Sequence, residues 1–306
     1  MPFVRLLQTA FHCFAFVAPV AGLIAQTPSA APTANTAVAA APAPARPRPG
    51  QPEPANAKLP SLFLIGDSTV RNGAGDGAGG QWGWGEPLTA FFDPAKINVV
   101  NRAVGGLSSR TYLTLGNWER ALPLMKSGDF VIMQFGHNDD WALNNEIECQ
   151  PLRARGTIKG TGDESVEIDN VMTKKHEVVH SYGWYLRRFI ADARERGVTP
   201  IVASLVPRKK MENGKVLHEP YAAWAAEVAQ ATKTWYLPLN EIISRRYEAL
   251  GAEKVGPLFA DANTHTTREG AEINAASVVG GLKALPGHPL DAYLSPRGAA
   301  VEKETK

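Results

Sequence analysis

Five short apolar runs recur along the chain: LFLIG at 62–66, INVVN at 97–101, FVIMQF at 130–135, PIVASLV at 200–206 and TWYLPL at 234–239. They read as near-continuous apolar stretches without strict alternation, as strands covered on both faces do. Longer amphipathic stretches separate them. SYGWYLRRFIADARERG carries Tyr182, Leu186, Phe189, Ile190 and Ala193 at helical spacing, with Ser181 as N-cap and Gly197 as a stop signal. EPLTAFF, NWERALPLMKS, YAAWAAEVAQATK, NEIISRRYEALG and REGAEINAASVVGGLKALP predict further helices. Strands alternating with helices predict a three-layer α/β/α domain with a five-stranded parallel sheet. Ligands of such sheets bind beyond the carboxyl ends of the strands. Residues 139–176 have no period and predict one long loop on that side.

Ahead of the first run the pattern changes. Arg5, a largely apolar run from Phe11 to Ile24, and Ala25 as a small residue predict a signal peptide at 1–25. The run is shorter than the roughly 20 residues of a membrane span; an uncleaved anchor is the rival reading. Residues 26–58 are nearly all Ala, Pro, Thr, Gln and Asn and predict an extended tether. The folded domain is then expected at 59–286, with a tail at 287–306, and its location as secreted or periplasmic. The formal net charge of +2, with both signs interspersed, gives no nucleic-acid footprint. Of the two cysteines, Cys13 lies in the leader and leaves Cys149 without an intramolecular partner.

HEVVH at 176–180 is a literal H-E-x-x-H, which on a helix holds zinc between two histidines. Here the helical pattern begins only near Tyr182, and no histidine follows at the spacing of a third ligand; the next is His218. A different set of residues sits at the strand ends. Gly66-Asp67-Ser68-Thr69-Val70 places a serine after the first run, although Val70 departs from the G-x-S-x-G elbow. Gly105-Gly106 after the second run lets a ligand approach an unshielded N–H. Gly136-His137-Asn138-Asp139 after the third places an amide donor where negative charge can develop. Asp261 and His265, just before the last long helix, pair a candidate base with an orienting acid. Singly, each reads as well as a turn, a cap or a polar loop.

In this order the motifs resemble the SGNH (GDSL) hydrolase superfamily over residues 60–285. GDSTV, GGQWGWGEPL, NRAVGGLSSRTY, GDFVIMQFGHND, VHSYGWYLRRFI, TPIVASLVPR and THTTREGAEINA are similar to rhamnogalacturonan acetylesterases. Those enzymes remove acetyl groups from the galacturonate residues of pectin's rhamnogalacturonan backbone. The resemblance implies a flavodoxin-like SGNH domain and a secreted serine esterase that needs no cofactor and no metal. It implies Ser68 as nucleophile and His265 as base. The N–H groups of Ser68 and Gly106 and the side chain of Asn138 become the oxyanion-hole donors. It implies Asp261 as the acid, with a departure: the family commonly shows D-x-x-H, whereas Asp261 lies four residues before His265. If the extra residue is not absorbed, the acid's role falls to water or a backbone carbonyl.

Substrate-side candidates are Trp84 with Trp82, Arg110, and His180. Their plainer readings are loop packing, a solvated helix start and a capping histidine. Arg208 with Lys209 and Lys210 reads as a surface to a polyanion or as a solvated basic turn. The implied partner is an acetylated pectic polysaccharide or oligosaccharide, with no nucleic acid and no membrane after signal cleavage. An acetylesterase or acetyltransferase on xylan or another glycan stays open, as does a zinc hydrolase built on HEVVH.

Overall fold

The computed structural model describes residues 51–71, 77–144 and 154–305. The expected signal peptide, residues 26–50 of the expected tether and Cys149 lie outside them. In chain order the strands are β1 (Ser61–Gly66), β2 (Asn98–Asn101), β3 (Phe130–Gln134), β4 (Ser165–Asp169), β5 (His176–His180), β6 (Thr199–Ala203), β7 (Met211–Glu212), β8 (Lys215–Val216) and β9 (Trp235–Leu237). The helices are α1 (Gly85–Leu88), α2 (Ser109–Thr114), α3 (Asn117–Ala121), α4 (Tyr182–Glu195), α5 (Pro220–Ala231), α6 (Leu239–Leu250), α7 (Ala252–Val255), α8 (Arg268–Ala284) and α9 (Pro296–Ala299).

The five apolar runs form one sheet in the order β2-β1-β3-β6-β9, every neighbour parallel. Successive side chains of a strand face opposite sides, and both sides are covered. Leu62 and Leu64 join a core with residues of α6 and α8, while Phe63 and Ile65 join one with residues of α4 and α5. All four are fully buried, which is why the runs are continuously apolar. Truncating such a side chain to alanine typically costs about 2–5 kcal/mol. The strand order reverses between β1 and β3, so the segments leaving these strands open a crevice at their carboxyl ends.

Three expectations change. Residues 139–176 are not one loop, because β4 pairs antiparallel with β5, and β5 is HEVVH itself. Val166 opposite Val179 holds this ribbon together. Residues 51–58 are not all tether: Asn56 N–H donates to Asn98 Oδ1, Asn98 Nδ2 returns a bond to Asn56 O, and Arg102 Nη1 donates to Pro52 O. The domain therefore begins ahead of residue 59. At the other end the expected tail carries α9 and packs back, with Ser295 N–H on Phe91 O and Glu304 N–H on Gly280 O. Among the described residues no helix is long and apolar enough to cross a membrane.

Candidate active site

Ser68 leaves β1 in a tight turn, in which the N–H groups of Val70 and Arg71 both donate to Asp67 O. Asp67 Oδ1 accepts the N–H and the hydroxyl of Thr69, each at 2.8 Å, so the aspartate side chain fastens the turn from inside. Burial would raise the Asp67 pKa, but His137 and the Thr69 donors outweigh it and hold the carboxyl below its ordinary value. His137 Nδ1 lies 3.3 Å from Asp67 Oδ2 and its Nε2 2.9 Å from Val206 O, tying the segments after β1, β3 and β6 together.

Ser68 Oγ lies 2.8 Å from His265 Nε2. On the far side of the ring, Nδ1 is 2.5 Å from Asp261 Oδ2. A carboxylate on Nδ1 favours the tautomer that leaves the Nε2 lone pair toward the serine hydroxyl. Asp261 Oδ1 accepts N–H groups from Asn263, Thr264 and His265 at 2.9, 2.7 and 3.1 Å. Burial opposes ionisation of Asp261, yet these backbone donors and the His265 ring hold its carboxyl well below the usual range. The loop is anchored to the segment that follows Ser68 by Trp82 N–H on Thr266 O and Thr266 Oγ1 on Trp82 O, both at 2.8 Å.

Gly106 adopts φ 77°, a backbone that favours glycine. Asn138, 6% exposed, donates from Nδ2 to Leu107 O at 3.0 Å. Ser68, Gly106, Asn138 and His265 line one cavity of about 470 Å³. Beside Asn138, Asp139 is fully buried against Ser109, whose hydroxyl donates at 2.5 Å. Burial pushes the Asp139 carboxyl up to about 7; the Ser109 bonds oppose this and the Asp67 charge adds to it.

The substrate-side expectations are corrected. Trp84 is 0% exposed, and its Nε1 donates to Gln134 Oε1 at 2.7 Å, so it packs the loop rather than lining a sugar site. Arg110 is also 0% exposed; Glu177 takes its Nε and Nη2 at 2.7 and 2.8 Å, leaving no approach for a uronate. His180 stacks on Trp184 with centroids 3.8 Å apart and is not among the residues lining the cavity. As a strand, HEVVH spends its glutamate on Arg110, and His176 lies against Asp169 and Glu167 of β4.

Residues that pattern reading passed over line the cavity instead: Gln81, His137, Trp141 and Arg155. Arg155 Cζ lies 4.8 Å from the centroid of Trp141, whose ring is half exposed. Arg208 lines the cavity too, sharing its charge with Glu219 and donating to Thr264 Oγ1 and His137 O. The GHND motif was the signal for His137. Trp141 and Arg155 lie in a stretch without period, where only spatial closeness identifies them.

Residues 64–273 match the GDSL-like lipase/acylhydrolase family. The chain is 28% identical over 222 residues to the rhamnogalacturonan acetylesterase of Emericella nidulans, covering 72% of this chain and 83% of that protein. It is 31% identical over 236 residues to the probable rhamnogalacturonan acetylesterase YesY of Bacillus subtilis, covering 75% and 94%. The crystal structure of Bacillus subtilis protein YxiM is similar with a TM-score of 0.59 at 25% identity. That match covers 74% of this chain and 56% of YxiM, so the chain spans little more than half of that protein's length. With its fold, the order of its motifs and this match over most of its folded part, the chain belongs to the GDSL-like lipase/acylhydrolase family.

Proposed function

We propose that this protein is a carbohydrate O-acetylesterase that removes acetyl groups from pectic rhamnogalacturonan through an acyl-enzyme on Ser68. The observation that carries the reading is the line Asp261–His265–Ser68, with contacts of 2.5 and 2.8 Å. His265 Nε2 takes the hydroxyl proton as Ser68 Oγ attacks the acetyl carbonyl carbon. The carbonyl oxygen becomes an oxyanion facing the N–H groups of Ser68 and Gly106 and the second N–H of the Asn138 amide. Collapse breaks the ester bond, and the sugar hydroxyl leaves with the proton from His265. Water then attacks the acetyl-serine with His265 again as base, and acetate departs.

Two observations support an anionic glycan over neutral xylan. The residues lining the cavity include Arg155 and Arg208 and, among the described residues, no Asp or Glu. The two relatives named above carry rhamnogalacturonan acetylesterase in their names. In this proposal the leader at 1–25 directs the enzyme out of the cytoplasm, to the periplasm or beyond.

The test is acetate release from acetylated rhamnogalacturonan beside acetylated xylan. Ser68→Ala should lose activity by on the order of 10⁶-fold. Activity surviving in that variant would end the mechanism. Preference for xylan would end the substrate assignment and leave the esterase, and acetyl transfer to a glycan acceptor in place of hydrolysis would make the protein a transferase.

A further inference from the structure

The two peptides that follow the Gly106 Cα are each held at the carbonyl by a side chain of the cavity lining. Arg155 Nη1 donates to Gly106 O at 2.6 Å, and Asn138 Nδ2 donates to Leu107 O at 3.0 Å. A glycine has no side chain to fix its orientation, and at φ 77° it has many alternatives. These two donors supply the constraint, and the one from Arg155 is charge-assisted and short.

Arg155 is itself firmly mounted. The chain leaves β3 through Asn138 and returns at Arg155, and its two sides close on each other: the N–H groups of Arg155 and Gly156 both donate to Ala142 O, at 3.2 and 2.9 Å. Arg110 Nη1 then bridges the sides, donating at 2.8 Å to Leu143 O and at 2.8 Å to Gly156 O. Glu177 fixes the rest of that guanidinium and is steadied in turn by Asn170 Nδ2 at 2.6 Å on its Oε2. Arg110 belongs to the first turn of α2, four residues after Gly106. The contacts therefore close a ring: Gly106 along the chain to Arg110, across to Gly156, back one residue to Arg155, and onto the Gly106 carbonyl.

We infer that Arg155 is a positioning residue for the oxyanion turn, held in register by the pairing of buried Arg110 with Glu177. By holding the Gly106–Leu107 peptide it fixes one side of the Gly106 Cα and so limits the rotation by which the Gly106 N–H, on the preceding peptide, could turn away. A donor aimed in advance needs no reorganisation when the oxyanion forms, and this is where its rate effect comes from. The inference rests on the reading of Gly106 as an oxyanion donor. It also accounts for the glutamate of HEVVH, since Glu177 meets no substrate but holds the arginine that holds the stem.

The experiment compares Arg155→Gln and Arg155→Lys with wild type on 4-nitrophenyl acetate, a small neutral ester, and on acetylated rhamnogalacturonan. Arg155→Gln should lower kcat on both esters by roughly tenfold or more, with KM for the small ester within about twofold. Arg155→Lys, which keeps a cationic donor on a long side chain, should recover part of the loss. Glu177→Gln is the second variant and should lower kcat on the small ester in the same sense. Near-UV circular dichroism reports whether each variant keeps its packing, and Arg155→Lys decides if Arg155→Gln does not fold. An unchanged kcat on the small ester, with loss only as a raised KM on the polysaccharide, would overturn the inference and make Arg155 a reader of the substrate carboxylate. Failure of the esterase reading looks different: wild type inert on both esters, or Ser68→Ala still active.

Discussion

Asp261 stands one residue farther from His265 than a D-x-x-H spacing provides, and its Oδ2 still reaches Nδ1 of that ring at 2.5 Å. Its other oxygen explains how. Oδ1 gathers three successive N–H groups, from Asn263 to His265, and folds the extra residue into a turn closed on the carboxylate itself. The same side chain shapes the loop and faces the imidazole. Asp261→Asn should lower kcat by on the order of 10³–10⁴-fold, as loss of a triad acid does elsewhere. Steady-state kinetics on acetylated rhamnogalacturonan decide it, and near-normal turnover would show that another group orients His265.

Asp139 sits at the opposite electrostatic extreme. Burial raises its carboxyl from 3.8 to about 7. Its folded pKa thus exceeds its unfolded one, and between about pH 4 and 7 the folded protein keeps a proton that the unfolded chain releases. This group makes stability fall as pH rises through that window and level off above it. Asp139→Asn keeps an acceptor for Ser109 and should remove the slope. Thermal midpoints of both proteins from pH 4 to 8 measure it; parallel curves would refute the assignment.

Trp84 is predicted to matter to stability rather than to substrate. Trp84→Phe keeps a ring in the core but deprives the buried Gln134 Oε1 of its donor. A lost partner of this kind costs about 1–3 kcal/mol. Chemical denaturation should show the loss, with KM for the polysaccharide within about twofold. A large rise in KM at unchanged stability would return Trp84 to the sugar site.

Chelation tests the H-E-x-x-H resemblance. On strand β5 the Cα atoms of His176 and His180 are four residues apart, roughly 13 Å at strand rise, too far for one ion to be held between them as on a helix. Acetate release should be unchanged after incubation with 1,10-phenanthroline. A loss that zinc restores would contradict this.

The fold was legible where one physical cause dominated. A strand buried on both faces has to be apolar throughout, and Leu62 to Ile65 declare that without help from the rest of the chain. β4 was not legible, because Ser-Val-Glu-Ile-Asp on an exposed ribbon buries almost nothing and its partner supplies the order. Of the candidate site, Ser68, Gly106, Asn138 and His265 could be named because their motifs, taken in order, resemble a known family, although each alone read as well as a turn or a polar loop. Trp84 and Arg110 were misread for a different reason. Their fates depend on Gln134 and Glu177, 50 and 67 residues away, and local pattern carries no information about such partners.

The serine and the histidine that touch are 197 residues apart. Ser68 emerges early in synthesis and His265 close to the end, and the Trp82–Thr266 bonds joining their loops need both. A nascent or truncated chain thus carries a serine hydroxyl with no base beside it. On the proposed mechanism such a chain has no base to activate that hydroxyl. The proposed chemistry therefore needs both ends of the domain in place, and acetate release would report that the loop of His265 has closed on the turn of Ser68.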